Sequence, residues 1–147
     1  MIGVSVLSID NKGRLAIPAR HRETLLSDFG NKLVVTLEST KTLLIYPEPN
    51  WRPVEEKLLR MRAGSAVLQS YQRLVLGHAE QLEMDSAGRV LLPARLRALV
   101  MLDKEVALVG MGNRFELWDA VKWEEQTREA LALDPAALAA ELGDFTL

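Results

Sequence analysis

The chain has no cysteine among its 147 residues. That excludes a disulfide framework, a thiolate metal site and a cysteine nucleophile, and it permits a reducing compartment. Histidine is scarce as well: His21 and His78 stand alone, without ligand spacing to Asp or Glu clusters. Both read as surface or satisfied core positions rather than metal ligands. No stretch approaches the roughly 18 apolar residues of a membrane span. The N-terminal MIGVSVLSIDNKGR lacks a basic region ahead of a long apolar run. The expectation is a soluble cytoplasmic protein of one domain, or of two small lobes sharing a core, since 48% hydrophobic residues suffice for an interior.

An excess of positive charge is also missing. A net charge of -2 argues on average against a phosphate partner, which needs a dense cationic footprint. The distribution says otherwise. Lys12, Arg14, Arg20 and Arg22 lie in residues 11–22, and Arg89, Arg95 and Arg97 in residues 86–102, with no acid in either stretch. These seven leave 11 of the 18 Lys and Arg against 20 acids elsewhere. Two short segments are basic within an acidic chain, which marks them as places where something negative is met.

The two segments are copies of each other. DNKGRLAIPARHR (10–22) and DSAGRVLLPARLR (85–97) are identical at seven of thirteen positions without a gap. Farther on, after a three-residue shortening, Lys32, Val34, Tyr46 and Trp51 align with Lys104, Val106, Trp118 and Trp123. One chain therefore holds two versions of one unit. In each, Asp10 or Asp85 begins a type I turn and Gly13 or Gly88 takes the positive φ at its end, as in a three-residue hairpin with a glycine bulge. Pro18 and Pro93 follow at the start of a short helix, and a further strand pair completes the unit. GMGNRF (110–115) reads as a hairpin turn rather than a phosphate loop. Between the units a helix is expected from about Pro53 to Leu76, broken near Ala63-Gly64-Ser65 with Ser65 as N-cap. AVKWEEQTREALAL and, after Asp134, PAALAAEL are further helices. Trp51 and Trp123, near helix starts, read as core anchors, and the mixed-charge helix faces as solvated.

Three readings of the paired turns compete: a twofold cationic surface for nucleic acid, a catalytic carboxylate dyad, or plain turns with a solvated face. Asp10 and Asp85 are explained by turn chemistry. A dyad sharing one proton is rejected, because the neighbouring arginine holds each carboxylate ionised. Arg14 and Arg89 are not required by any turn, so anion binding is the better account of them, with nucleic acid the commonest such partner.

The doubled D-x-x-G-R-x-x-x-P-x-x-x-R, with LLIYP, LVLGHA and FELWD at matching places, resembles the MraZ family of the SpoVT/AbrB-like DNA-binding superfamily across essentially the whole chain. The resemblance implies an α+β, β-rich fold: a swapped-hairpin β-barrel formed by two tandem repeats, 5–52 and 80–123. A helical linker over 53–77 and C-terminal helices over 124–147 complete it. It implies a sequence-specific DNA-binding regulator, read as a repressor. Its target would be the division and cell-wall gene cluster that encodes it, bound at repeated promoter boxes on double-stranded DNA at the nucleoid. It implies homo-oligomeric rings, and neither cofactor, metal, small-molecule substrate nor catalysis. DNA contacts then fall on Lys12, Arg14, Arg22, Arg89 and Arg97, and the turns on Asp10, Gly13, Asp85 and Gly88. The second copy has Ala87 where the first has Lys12, so the halves are unequal. The competing expectation is an oligomeric ring that scaffolds protein partners instead of DNA.

Overall fold

In the computed structural model, which describes residues 1–62 and 64–147, eight strands and six helices are present among the described residues. The first segment runs β1 (Ile2–Ser8), β2 (Arg14–Ala16), α1 (Ala19–Asp28), β3 (Lys32–Leu37) and β4 (Leu43–Pro47). α2 (Glu48–Arg60) and α3 (Ala66–Gly77) follow. The second segment repeats the order as β5 (Glu80–Glu83), β6 (Arg89–Leu91), α4 (Ala94–Leu99), β7 (Glu105–Met111) and β8 (Phe115–Asp119). α5 (Ala120–Leu131) and α6 (Pro135–Leu142) close the chain. The fold is α+β with antiparallel strands throughout.

Strand pairing crosses between the segments. The larger sheet has the order β1-β7-β8-β4-β3-β5, and β2 with β6 forms a separate two-stranded ribbon. β1 therefore pairs with β7 and β5 with β3, while among the described residues only the β3–β4 and β7–β8 hairpins join strands of one segment. This refines the expectation for the first two strands of each unit: their turn forms, but the strands part beyond it and each finds its ladder in the other segment. No closed barrel is found among the described residues; the pairing is an open sheet plus the ribbon.

Alternation explains why the ribbon sits on the sheet. Leu15 and Val90, paired at its centre, are 0% and 1% exposed, whereas Arg14, Ala16, Arg89 and Leu91 point the other way. The inward pair joins Ile17, Leu25, Leu92, Leu96, Phe115 and Leu117 in one interior drawn from both segments. The opposite sheet face is covered twice. α2 and α3 cover it where Val34, Leu44 and Tyr46 meet Trp51, Leu58 and Val75; α5 covers it where Trp118 meets Trp123. The aromatic pairs match: Tyr46–Trp51 centroids are 5.5 Å apart and Trp118–Trp123 5.8 Å, both inclined at 59°. Trp51 is a buried anchor, while Trp123 is only partly buried.

Helix boundaries follow local chemistry. α2 begins at Glu48, ahead of the expected Pro53, which lies inside it. Starting early seats Trp51 on the sheet and lets Glu48 pair with Arg52 at 2.8 Å one turn on. The expected break falls between Arg60 and Ala66; its Ala63 lies outside the described residues, and Ser65 caps α3 by accepting from the Leu68 N–H at 3.2 Å. Asp134 caps α6 through the Ala137 N–H at 3.0 Å. β7 and β8 turn over Gly112, confirming the hairpin reading of GMGNRF. Gly110 is needed for packing: a Cβ there would lie 2.6 Å from the Met1 backbone, so only glycine lets β1 approach.

Candidate nucleic-acid interface

Each turn is built by its aspartate. Asp10 Oδ1 accepts the backbone N–H groups of Lys12 and Arg14, both at 2.9 Å, and its Oδ2 accepts Arg14 Nε–H at 2.7 Å. The backbone closes the loop, with the Gly13 N–H donating to Asp10 O at 3.0 Å and the Asp10 N–H to Arg14 O at 2.9 Å. Asp85 repeats the pattern with Ala87 and Arg89 N–H at 2.9 Å and Arg89 Nε–H at 3.1 Å. Gly13 and Gly88 stand at φ 84° and 76°, the left-handed region that a Cβ disfavours. The Arg14 backbone N–H, then its guanidinium and the Lys12 N–H, hold the Asp10 carboxyl down at about 2. Asp85 is lowered for the same reasons, led by the Arg89 N–H. Each carboxylate is saturated within its own turn, which leaves no shared proton for a dyad.

What these bonds do to the arginines matters more. Nε is the only Arg14 or Arg89 side-chain donor engaged among the described residues, so the two terminal nitrogens of each guanidinium are left without a protein partner there, on a stem fixed at Nε. The ribbon register places Arg14 opposite Leu91 and Ala16 opposite Arg89. The two forks therefore occupy diagonal corners of one exposed face. Reciprocal bonds, Ile17 N–H to Gly88 O and Leu92 N–H to Gly13 O at 2.9 Å each, lock the turns to the ribbon.

The chain matches the family model described as "MraZ protein, putative antitoxin-like" over residues 2–69 and 75–145. The chain belongs to the MraZ family. It is 74% identical over 145 residues to a Chromobacterium violaceum protein, covering 99% of this chain and 98% of that one. It is 50% identical over 146 residues to a Neisseria meningitidis protein (99% and 97%), and 49% over 145 residues to one from Nitrosospira multiformis (99% and 98%). All three relatives carry the name transcriptional regulator MraZ.

In this member of the MraZ family the remaining basic residues have distinct places. Lys12 is exposed at the tip of the first turn, with only its backbone held among the described residues. Arg22 crosses to the second turn, where its Nη1–H donates to Ala87 O at 3.0 Å and its side chain covers Gly88. Arg97 covers Gly13 in the same way and donates Nε–H to Leu92 O at 3.3 Å. Both are half-buried and brace the turns, a role that spacing could not reveal because the braced turn lies in the other segment. Arg20 donates to Ser5 Oγ at 3.1 Å and lies over Gly3. Asp10 and Asp85 offset the charges of Arg14 and Arg89 in ion pairs, whereas Lys12, Arg22 and Arg97 form no ion pair among the described residues.

The histidines differ from each other. His78 Nδ1 bonds Leu74 O at 2.8 Å. His21 is buried, not at the surface, with its ring centroid 4.9 Å from that of Phe115, and its Nε2 finds no hydrogen-bond partner among the described residues, so it differs from the surface or satisfied core position expected. Burial, then Arg20 and the N-terminal amine, lower its pKa. No metal-holding group of three His, Asp or Glu occurs among the described residues, and no described helix is long and apolar enough to cross a membrane.

Proposed function

We propose that this chain regulates transcription by binding double-stranded promoter DNA through the outer face of the β2–β6 ribbon and its two turns. The observation that carries this is the pair of Asp-anchored arginines at diagonal corners of an exposed antiparallel ribbon. Such a ribbon fits a B-DNA major groove about 12 Å wide. A guanidinium with Nε fixed and both terminal nitrogens free is a pre-aimed fork for guanine O6 and N7, or for a phosphate. Lys12, with the remaining N–H groups of Arg22 and Arg97, holds the flanking phosphates and supplies the unspecific attraction. A neutralised carboxylate beside each reading arginine is no obstacle to this division of labour. It lets the arginine be rigid while the charge comes from its neighbours.

The exchange of strands between segments supports the swapped-hairpin arrangement of the superfamily, with both turns carried on one face. The exposed Ile2, Val4 and Val6 of edge strand β1, with Leu138, Leu142 and Phe145 of the C-terminal segment, favour self-association. A homo-oligomeric ring would engage several repeated boxes, each weak contact strengthened by effective concentration. Occupying the promoter of the division and cell-wall gene cluster, its own included, represses it by excluding polymerase. The relatives' names support regulation of transcription as the readout.

A gel shift on the DNA upstream of the chain's own gene tests this, run with excess unspecific competitor and at rising salt. A competitor-resistant, salt-sensitive shift is expected. A shift absent at every salt concentration would leave the ring scaffold for protein partners as the better reading.

A further inference from the structure

We propose that Leu91 recognises the C5-methyl group of a thymine in the major groove, a specificity contact made by the second segment alone. The inference rests on the reading that the ribbon binds DNA. Leu91 is the outward position of β6 and is 60% exposed, while the inward Val90 fills the core. The ribbon does not require a leucine at this place: the corresponding outward residue of the first segment is Ala16, in the same register opposite an arginine. A lone exposed leucine is ordinary on a protein surface. This one stands between two aspartate-anchored guanidinium groups on the face that meets the bases.

Chemistry selects its partner. Among the groups that base pairs present in the major groove, the thymine methyl is the apolar one, and aliphatic side chains recognise it by excluding water. Register partners on one ribbon face have Cβ atoms about 5 Å apart, so Leu91 and Arg14 meet adjacent bases as a unit. The guanidinium takes an acceptor edge, and the isobutyl group takes the methyl beside it. At the opposite corner Ala16 is too short to reach past the long Arg89 side chain. The thymine preference is consequently one-sided, as is the lysine at position 12, and the two half-faces read different sequences.

Deoxyuridine keeps the pairing edge of thymidine and lacks its methyl, so it isolates the contact. The upstream fragment is amplified with thymidine or with deoxyuridine triphosphate and titrated with the full chain by fluorescence anisotropy. Wild type is expected to bind the uracil fragment about three- to fivefold more weakly, the worth of one buried methyl group. Leu91→Ala is expected to bind the thymine fragment with that same loss and to be indifferent to the exchange. Ala16→Leu is expected to enlarge the discrimination. Equal wild-type binding to both fragments overturns the inference, as does a uracil penalty that survives in Leu91→Ala. A Leu91→Ala variant that keeps the penalty but changes molar mass by light scattering also overturns it, by assigning Leu91 to a protein contact. Failure of wild type to bind either fragment instead overturns the DNA reading itself.

Discussion

Arg22, in the helix after the first turn, donates its Nη1–H to the carbonyl of Ala87 in the second turn at 3.0 Å. The two residues are 65 positions apart, and the side chain that joins them occupies the space where a Cβ on Gly88 would stand. Arg97 occupies the matching space over Gly13, although its Nε–H donates to Leu92 O of its own segment. Each turn is thus made by its own segment and braced by the other.

Gly88→Ala should therefore destabilise the chain twice, through left-handed backbone and through displacement of Arg22. The backbone term is about 1–2 kcal/mol, and each kcal/mol lowers Tm by roughly 2–4 °C at this size. The diagnostic is coupling. Arg22→Ala should relieve part of the Gly88→Ala loss, so the double variant should melt above the temperature expected from adding the two losses. Simple additivity in a thermal melt would refute the bracing.

The turns also set an acid limit. Asp10 has a folded pKa lowered from 3.8 to about 2, so the unfolded chain takes up its proton first as pH falls. Its stabilisation is complete above about pH 4 and is lost as pH drops through the folded value. Asp10→Asn should flatten the Tm profile between about pH 4 and 2. A profile as steep as wild type would place the acid sensitivity elsewhere.

His21 acts in a higher range. Burial lowers its pKa beneath the ordinary 6.5, so the unfolded state binds the proton preferentially and stability declines as pH falls below about that value. His21→Leu removes both the titration and the unpartnered Nε2. At pH 5 it should be as stable as wild type or more so, by up to about 1 kcal/mol, and it should lose the decline below about pH 6.5. Equal slopes for the two proteins would contradict this.

On DNA, the two kinds of cation should separate. Arg14→Ala should weaken specific binding by about 1–3 kcal/mol, roughly 5- to 150-fold, and relax base choice. Lys12→Ala should lower affinity across all sequences and reduce the slope of log K against log salt by about one. Ala87→Lys should raise that slope by a similar amount. Identical effects of Arg14→Ala on the promoter fragment and on unrelated DNA would assign Arg14 to the backbone alone.

Much of this arrangement was readable from local pattern. The Asp-x-x-Gly turns, the alternation that buries Leu15 and Val90, the Ser65 and Asp134 caps and the duplication itself depend on residues within a few positions of one another. Hydrogen-bonding reach and side-chain periodicity decide such features. The start of α2 did not follow from its prolines, because burying Trp51 against Tyr46 outweighed the helix-breaking character of Pro53. The surroundings of His21 are hidden from the sequence for a related reason: whether a polar atom finds a partner depends on what packs above it, here Phe115 from the other segment.

The sequence by itself determined the two turns, their glycines, the acid-free basic stretches and the inequality of Lys12 with Ala87. Only the tertiary structure decided which strands pair, since alternation specifies a face and not a neighbour. It also decided which arginines keep unbonded terminal nitrogens among the described residues and which are used as braces. Arg14 and Arg22 are both cations of one basic segment, and their chemistry is the same. The exchange of strands brings a foreign turn within reach of Arg22, while Arg14 is held at Nε by the aspartate of its own turn.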